Sequence, residues 1–282
     1  MKGCLYLVAT PIGNMGDITH RAIEVLRSAD FILAEDTRTS RAVLKRHEIA
    51  TPFYSSVYQG AERQRIPSLL SLLDEGKRLA LISDAGTPLV SDPGFPLVRA
   101  AIEAGHVIIP IPGACAAVAA VTASGLPVDR FAFEGALPRA RGARQQVLAD
   151  VSARDRTTVF YESSHRIANT LQMMAEILPG RRIVLAREMT KLHEEFLRGT
   201  ADELLEQLSE RESVRGEFVV VVEGAPHAPS TDRETLGRLT AALRAEGVSN
   251  RSMVRILAEA LDVPRNEAYR TVHEESEDAD DG

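Results

Sequence analysis

The stretch Ser83-Asp84-Ala85-Gly86-Thr87-Pro88-Leu89-Val90-Ser91-Asp92-Pro93-Gly94 follows the apolar run Leu79 to Ile82 and decides how the chain is read. A short strand that empties into a long turn fixed by glycine and proline is where α/β folds place their ligands. Two carboxylates, Asp84 and Asp92, stand where a phosphate loop would offer backbone amides or a lysine. Carboxylates repel phosphate and suit hydroxyls, amines or a cation. So long a connection without structure of its own is usually functional.

Working outward, strand-length apolar runs alternate with segments of helical period. Leu5 to Ala9 reads as the first strand, followed by a helix capped near Asp17 or Thr19 with Ala22, Val25, Leu26 and Ala29 on its apolar face. Phe31 to Ala34 is a second strand and runs into Glu35-Asp36-Thr37, and Val107 to Ile111 ends at Pro112-Gly113. After the Ala-rich helix Ala114 to Ala123, strands are expected at Arg130 to Glu134, Thr157 to Glu162, Arg182 to Arg187 and Glu217 to Glu223, with helices at His165 to Leu178 and Ala201 to Leu208. This alternation predicts two α/β domains, residues 1–113 and 114–226. The loop from Ala9 to Asp17 has glycines, but its spacing matches neither GxGxxG nor GxxxxGK[ST].

Ala225 to Ser230 is a linker by composition, and Thr235 to Glu246, Asn250 to Leu261 and Asn266 to Glu275 read as short helices over residues 231–275. The last two, with Arg265 and Arg270, are similar to a helix-turn-helix, and a small bundle packed on its own chain fits equally well. Residues 276–282 form an acidic tail expected to be disordered.

The net charge of −7 argues at first against a polyanionic partner. Six acids lie in the last nine residues, however, so residues 1–273 carry only −1. No apolar run is long enough to span a bilayer and the start is too short for a signal peptide, so a cytoplasmic protein without membrane contact is expected. Cys4 and Cys115 sit in apolar stretches and predict no disulfide. The seven histidines form no ligand spacing, and no metal is expected.

Seven motifs occur in one order: LVATPIGN (Leu7 to Asn14), AEDTR (Ala34 to Arg38), SDAGTPLVSDPG, Pro112-Gly113, FYES.HR (Phe160 to Arg166), AREMTK (Ala186 to Lys191) and GEFVVVVEG (Gly216 to Gly224). Together they resemble the tetrapyrrole-methylase-fold, class III S-adenosylmethionine-dependent methyltransferases, in particular the group that acts on ribosomal RNA of the small subunit. The resemblance implies S-adenosylmethionine in the interdomain cleft, a homodimer, and 2′-O-methylation of a cytidine in 16S rRNA presented within the 30S subunit. It puts the methyl-donor pocket on Thr10, Pro11, Asp84, Ala85, Gly86, Thr87, Pro88, Pro112, Gly113, Phe160, Tyr161 and Val220.

A ribose hydroxyl must lose its proton on methylation, and Asp36, Glu162 and Glu188 are the candidate bases, with Lys191 an orienting cation or a base of lowered pKa. RNA requires cationic surface. Arg38, Arg41 and Lys45 share one helical face, and Arg139, Arg141 and Arg144 lie in a Gly-containing loop expected to move. With no tryptophan and few other aromatics, phosphate contact should dominate over base stacking. Two other readings stay open. One is a methylase of a corrin-type ring, and the other a nucleic-acid-binding regulator that uses the methyl donor as an effector.

Overall fold

The computed structural model describes residues 3–56, 62–226, 233–261 and 263–277. They divide into two compact units, Met1–Gly224 and Ala225–Gly282. The first unit contains two five-stranded sheets.

The first sheet comprises β1 (Cys4–Val8), β2 (Phe31–Ala34), β3 (Phe53–Ser56), β4 (Arg78–Ile82) and β5 (Val107–Ile111), all parallel, in the order β3-β2-β4-β1-β5. Its strands are apolar on both faces because helices cover both. Leu5, Leu33, Leu79 and Leu81 pack with Leu69 and Leu73 of α3 (Glu62–Asp74) and Leu97 of α4 (Phe95–Glu103). Val8, Ile32, Ala34, Ala80 and Ile82 pack the other way, with Ala22 and Leu26 of α1 (His20–Ser28) and Leu44 of α2 (Thr37–Arg46). Since parallel strands all point one way, the turns after β1, β2, β4 and β5 emerge along one edge, and that convergence makes the site.

The second sheet, ordered β6-β7-β10-β8-β9, is mixed. Its strands are β6 (Phe131–Ala136), β7 (Thr157–Ser163), β8 (Ile183–Arg187), β9 (Glu195–Gly199) and β10 (Glu217–Val222). Only the β6–β7 pairing is parallel. One face packs Phe160, Leu185 and Val220 against helices α6 (Arg141–Ser152), α7 (Ile167–Ile177) and α8 (Ala201–Ser209). The opposite face packs Val159, Val184, Val219 and Val221 against Ala117, Ala120 and Val121 of α5 (Ala116–Ser124), with Ile12 of the first sheet's loop alongside.

The elements absent from the sequence reading are β3, α3, α4, α6 and β9. Pro67 interrupts the period of α3, and α4 starts abruptly at Phe95-Pro96 after the long turn. A larger correction concerns residues 138–144. Instead of a mobile loop, the segment is a turn followed by the first residues of α6, and buried Arg144 donates to the carbonyls of Pro138 and Arg139. Cys4 and Cys115 are free thiols, partly buried.

In the second unit, α9 (Arg233–Ala245), α10 (Asn250–Ala260) and α11 (Arg265–Glu277) close around Leu236, Met253, Leu257, Val263, Ala268 and Val272. Ser249 caps α10 by accepting the Ser252 N–H. The expected linker lies mostly outside the described residues, as does the acidic tail from 278 onward. Among the described residues, no helix is long and apolar enough to cross a membrane, and no cluster of three His, Cys, Asp or Glu side chains could hold a metal.

Candidate active site

The turns after β1 and β4 are tied together before any ligand is considered. Thr10 and Gly86 exchange both backbone hydrogen bonds, at 2.9 and 3.1 Å, and the Thr10 hydroxyl donates to Ser83 O at 3.2 Å. Thr87 Oγ1 donates to Ala114 O at 2.9 Å, which anchors the turn to the start of α5. Gly86 has φ +83°, and a Cβ there would stand 3.3 Å from Ile12, so glycine alone leaves this floor flat and unstrained. Two non-glycine residues of the same turn, Leu89 (φ 74°) and Ser91 (φ 70°), are left-handed, a cost of about 1–3 kcal/mol each that surrounding structure must hold.

These turns form one wall of a cavity of about 600 Å³ between the two sheets. Glu35, Asp84 and Asp92 line it. Burial pushes all three carboxyls upward, and for Glu35 the nearby charges of Asp92 and Asp84 add to the effect. Three acids crowded in a partly dry wall favour a cationic or hydroxyl-bearing ligand. Asp84 also accepts the Asp36 N–H at 3.1 Å, which joins the β2 turn to the β4 turn.

The facing wall comes from the second sheet. Tyr161 extends from β7, makes an edge contact with Phe133, and its hydroxyl accepts the Ala117 N–H in the first turn of α5 at 3.2 Å. Burial pushes its phenol up to about 12, so it stays neutral. Beyond β8, Glu188 (φ 47°) and Thr190 (φ 65°) are left-handed in a tight turn. Lys191 Nζ donates to Glu188 Oε1 at 2.9 Å and to Glu217 Oε2 at 2.7 Å. Its hydrogen bond holds the Glu188 carboxyl below the usual range. Burial would lower the Lys191 ammonium, but Glu217 and Glu188 outweigh that and raise it. Gly216 makes room for this pair, since a Cβ there would lie 2.5 Å from Glu188 Cγ. The Asn14 N–H donates to Thr190 Oγ1 at 3.0 Å, bridging the two walls.

Of the residues expected to hold a cofactor, Asp84, Ala85, Gly86, Thr87 and Tyr161 line the cavity. Thr10, Pro11, Pro88, Pro112 and Gly113 are not on its lining, and Thr10 is buried with its hydroxyl donating to Ser83, a bond that joins the turns. Phe160 and Val220 do not line the cavity either. Their fully buried side chains belong to the opposite face of the sheet, and the neighbours Tyr161 and Val219 face the cavity. The shift is one residue, which in a strand reverses the face.

Among the candidate bases, Glu162, Glu188 and Lys191 line the cavity and Asp36 does not. Asp36 caps α2, and its paired neighbour Arg38 holds it at about 2, which makes it a poor base. Arg38, Arg41 and Lys45 are exposed on α2, as expected of a cationic face, although Arg38 is tied to Asp36. Arg139 reaches the cavity and Arg141 is exposed, whereas Arg144 is buried with its donors committed to Pro138, Arg139, Asn169 and Thr170, and is structural. The reading missed Glu35, Arg166 and Glu217 as cavity residues. All three lie inside motifs named above, and the phase of the adjoining strand was the available signal.

A family profile described as Tetrapyrrole (Corrin/Porphyrin) Methylases matches residues 4–205. The Haemophilus influenzae protein named ribosomal RNA small subunit methyltransferase I is 45% identical over 273 residues, which is 96% of each chain. Among solved structures, the methyltransferase CobJ superposes with a TM-score of 0.59 at 22% identity, covering 79% of this chain and 95% of that one. The uroporphyrin-III C-methyl transferase from Thermus thermophilus, complexed with S-adenyl homocysteine, gives 0.53 at 18% identity, covering 78% and 97%. These two likenesses establish the fold.

Proposed function

The chain belongs to the tetrapyrrole (corrin/porphyrin) methylase family, and from that premise we propose that it is an S-adenosylmethionine-dependent methyltransferase acting on the ribose 2′-hydroxyl of a cytidine in 16S rRNA. The observation that carries the reading is the near full-length likeness to a protein named for the small-subunit RNA, joined to a cavity with one acidic wall and one wall bearing cations. The substrate is RNA within the 30S subunit, and the work is done in the cytoplasm.

The donor set fits S-adenosylmethionine. Its ammonium, sulfonium and ribose diol meet the acidic wall of Glu35, Asp84 and Asp92, and the flat floor at Gly86 accepts a close approach that a Cβ would obstruct. When bound, the cofactor supplies a methyl carbon on a positively charged sulfur that leaves as a neutral thioether. Every other demand falls on the protein, chiefly alignment, which can contribute roughly 7–11 kcal/mol.

In this reading Glu188 and Lys191 meet the ribose. Oε1 of Glu188 is committed to Lys191 and to the Glu217 N–H at 3.0 Å, while Oε2 has no partner among the described residues. Glu188 Oε2 accepts the hydroxyl proton, and the Lys191 ammonium stabilises the negative charge that grows on the ribose oxygen. Lys191, held protonated, is not the base.

A homodimer is part of the proposal. Phe95 and Ile102, seven residues apart on α4, and Val107 on the edge strand β5 are exposed apolar side chains that a partner copy would cover. Size-exclusion chromatography with light scattering tests it, a monomer in the wild type being the contrary result. The activity is tested by incubating the protein with labelled S-adenosylmethionine and either 30S subunits or naked 16S rRNA, then mapping the ribose methyl. No transfer to either substrate removes the proposal.

A further inference from the structure

The cationic wall has two parts with different charge balances. Around Lys191, one ammonium faces two carboxylates, Glu188 and Glu217, so no positive charge is left over. Around the turn between β6 and α6 the balance is reversed. Arg166 Nη2 donates to Leu137 O at 2.7 Å and to Pro138 O at 3.0 Å, while Arg144 donates to Pro138 O and Arg139 O. Arg166 pairs with one carboxylate, Glu162, whose side chain is 1% exposed, and Arg144 reaches that carboxylate only through Thr170. Glu162 Oε1 lies 3.3 Å from Arg166 Nε, and its Oε2 accepts Thr170 Oγ1 at 2.7 Å, the hydroxyl that in turn accepts Arg144 Nη1 at 3.2 Å. Arg139, presented by the pinned turn, reaches the same cavity. At the cavity wall, Arg139 and Arg166 against Glu162 leave an excess of one positive charge, and Arg144, buried behind them, adds a third guanidinium.

A solvated arginine needs no such scaffold. Here two arginines spend donors on immobilising the turn that carries a third, and Arg166 Nη1 has no protein acceptor among the described residues. A held guanidinium with free donors at a cavity wall matches an oxyanion, and a phosphodiester best of all. The chemistry of the acceptor supplies the anion. In RNA, the carbon next to the one bearing the 2′-hydroxyl carries the 3′-phosphate, so a pocket that takes in this hydroxyl brings a phosphate with it.

We propose that Arg166, with Arg139, forms a phosphodiester subsite that holds the 3′-phosphate of the nucleotide being methylated. This deepens the RNA reading given above and rests on it. Arg166 is a positioning residue, and the carboxylate of the cofactor's amino-acid portion is the other anion that could occupy the same donors.

The test separates these sources. A fluorescein-labelled single-stranded RNA oligomer is titrated with the full-length protein, saturated with S-adenosylhomocysteine, at several KCl concentrations. Binding of S-adenosylhomocysteine itself is measured by calorimetry. R166Q is expected to weaken RNA binding about tenfold and to flatten the slope of log affinity against log salt by about 0.7, the share of one phosphate contact on a single strand. R166K should retain most of that slope, and both variants should bind S-adenosylhomocysteine as the wild type does. Unchanged RNA affinity and slope in R166Q overturn the subsite. Loss of S-adenosylhomocysteine affinity overturns it too, by assigning the guanidinium to the cofactor carboxylate. If R166Q lowers the melting temperature enough to compromise the turn, R139A carries the same test, and an unchanged slope there is likewise contrary. The oligomer titration does not depend on methyl transfer, so a protein that fails to methylate 30S subunits removes the activity while leaving the salt slope to judge the subsite.

Discussion

Lys191 Nζ sits 2.9 Å from Glu188 Oε1 across a turn whose backbone is left-handed at Glu188 itself. The strain and the ion pair go together. A left-handed residue at the end of β8 turns the carboxylate into the cavity, and the lysine three residues later keeps it there.

Glu188→Gln should lower kcat by about 10²-fold, the lower end of what a positioned proton acceptor contributes, with little change in cofactor affinity. Single-turnover rates on 30S subunits beside calorimetric binding provide the check. Because Glu188 is held below and Lys191 above their ordinary values, the pair keeps its charges on either side of neutral pH and contributes no limb to the rate profile there.

The acidic wall behaves oppositely. Glu35, Asp84 and Asp92 have raised pKa values, so cofactor affinity should decline on acidification earlier than ordinary carboxylates would allow. For stability, a raised folded value means that the folded protein binds the proton more tightly than the unfolded chain. The contribution is therefore present at low pH and lost as pH rises through the folded value. Glu35→Gln should raise the melting temperature of the ligand-free protein at pH 7, have little effect near pH 4, and weaken S-adenosylhomocysteine binding roughly tenfold. A lower melting temperature at pH 7 would contradict the burial argument.

The three arginines at 139, 141 and 144 should separate cleanly. Arg144→Ala removes a buried guanidinium with four partners and should cost roughly 2–4 kcal/mol in a urea titration. Arg139→Ala and Arg141→Ala, both exposed, should stay within about 0.5 kcal/mol of the wild type while weakening RNA binding.

Glu195 offers a stability test remote from the chemistry. The Arg211 hydrogen bonds, with Arg187 assisting, hold it at about 2. A depressed folded value contributes stability above the ordinary glutamate pKa that is lost as pH falls toward the folded value. Glu195→Gln should therefore destabilise by roughly 1–3 kcal/mol at pH 7, with the difference from wild type closing near pH 2.

The fold was legible because its strands are continuous apolar runs that end in turns rich in glycine and proline, as at Leu79 to Gly94. Local pattern singled out the turn carrying Asp84 and Gly86, and the resemblance pointed to Glu188; all three line the cavity. Where the period is short or broken, as in β3 or across Pro67 in α3, the pattern carried too few residues to read.

By itself, then, the sequence determined the alternation of strands and helices, the family, and the loops that would converge, because these depend on residue order and on apolar period. Only the tertiary structure decided which atoms face the cavity. Val219 instead of Val220, and Arg166 instead of Arg144, follow from the phase of a strand and from the competition of neighbouring carbonyls for a guanidinium. Those are relations between segments distant in the chain, and spacing along it does not record them.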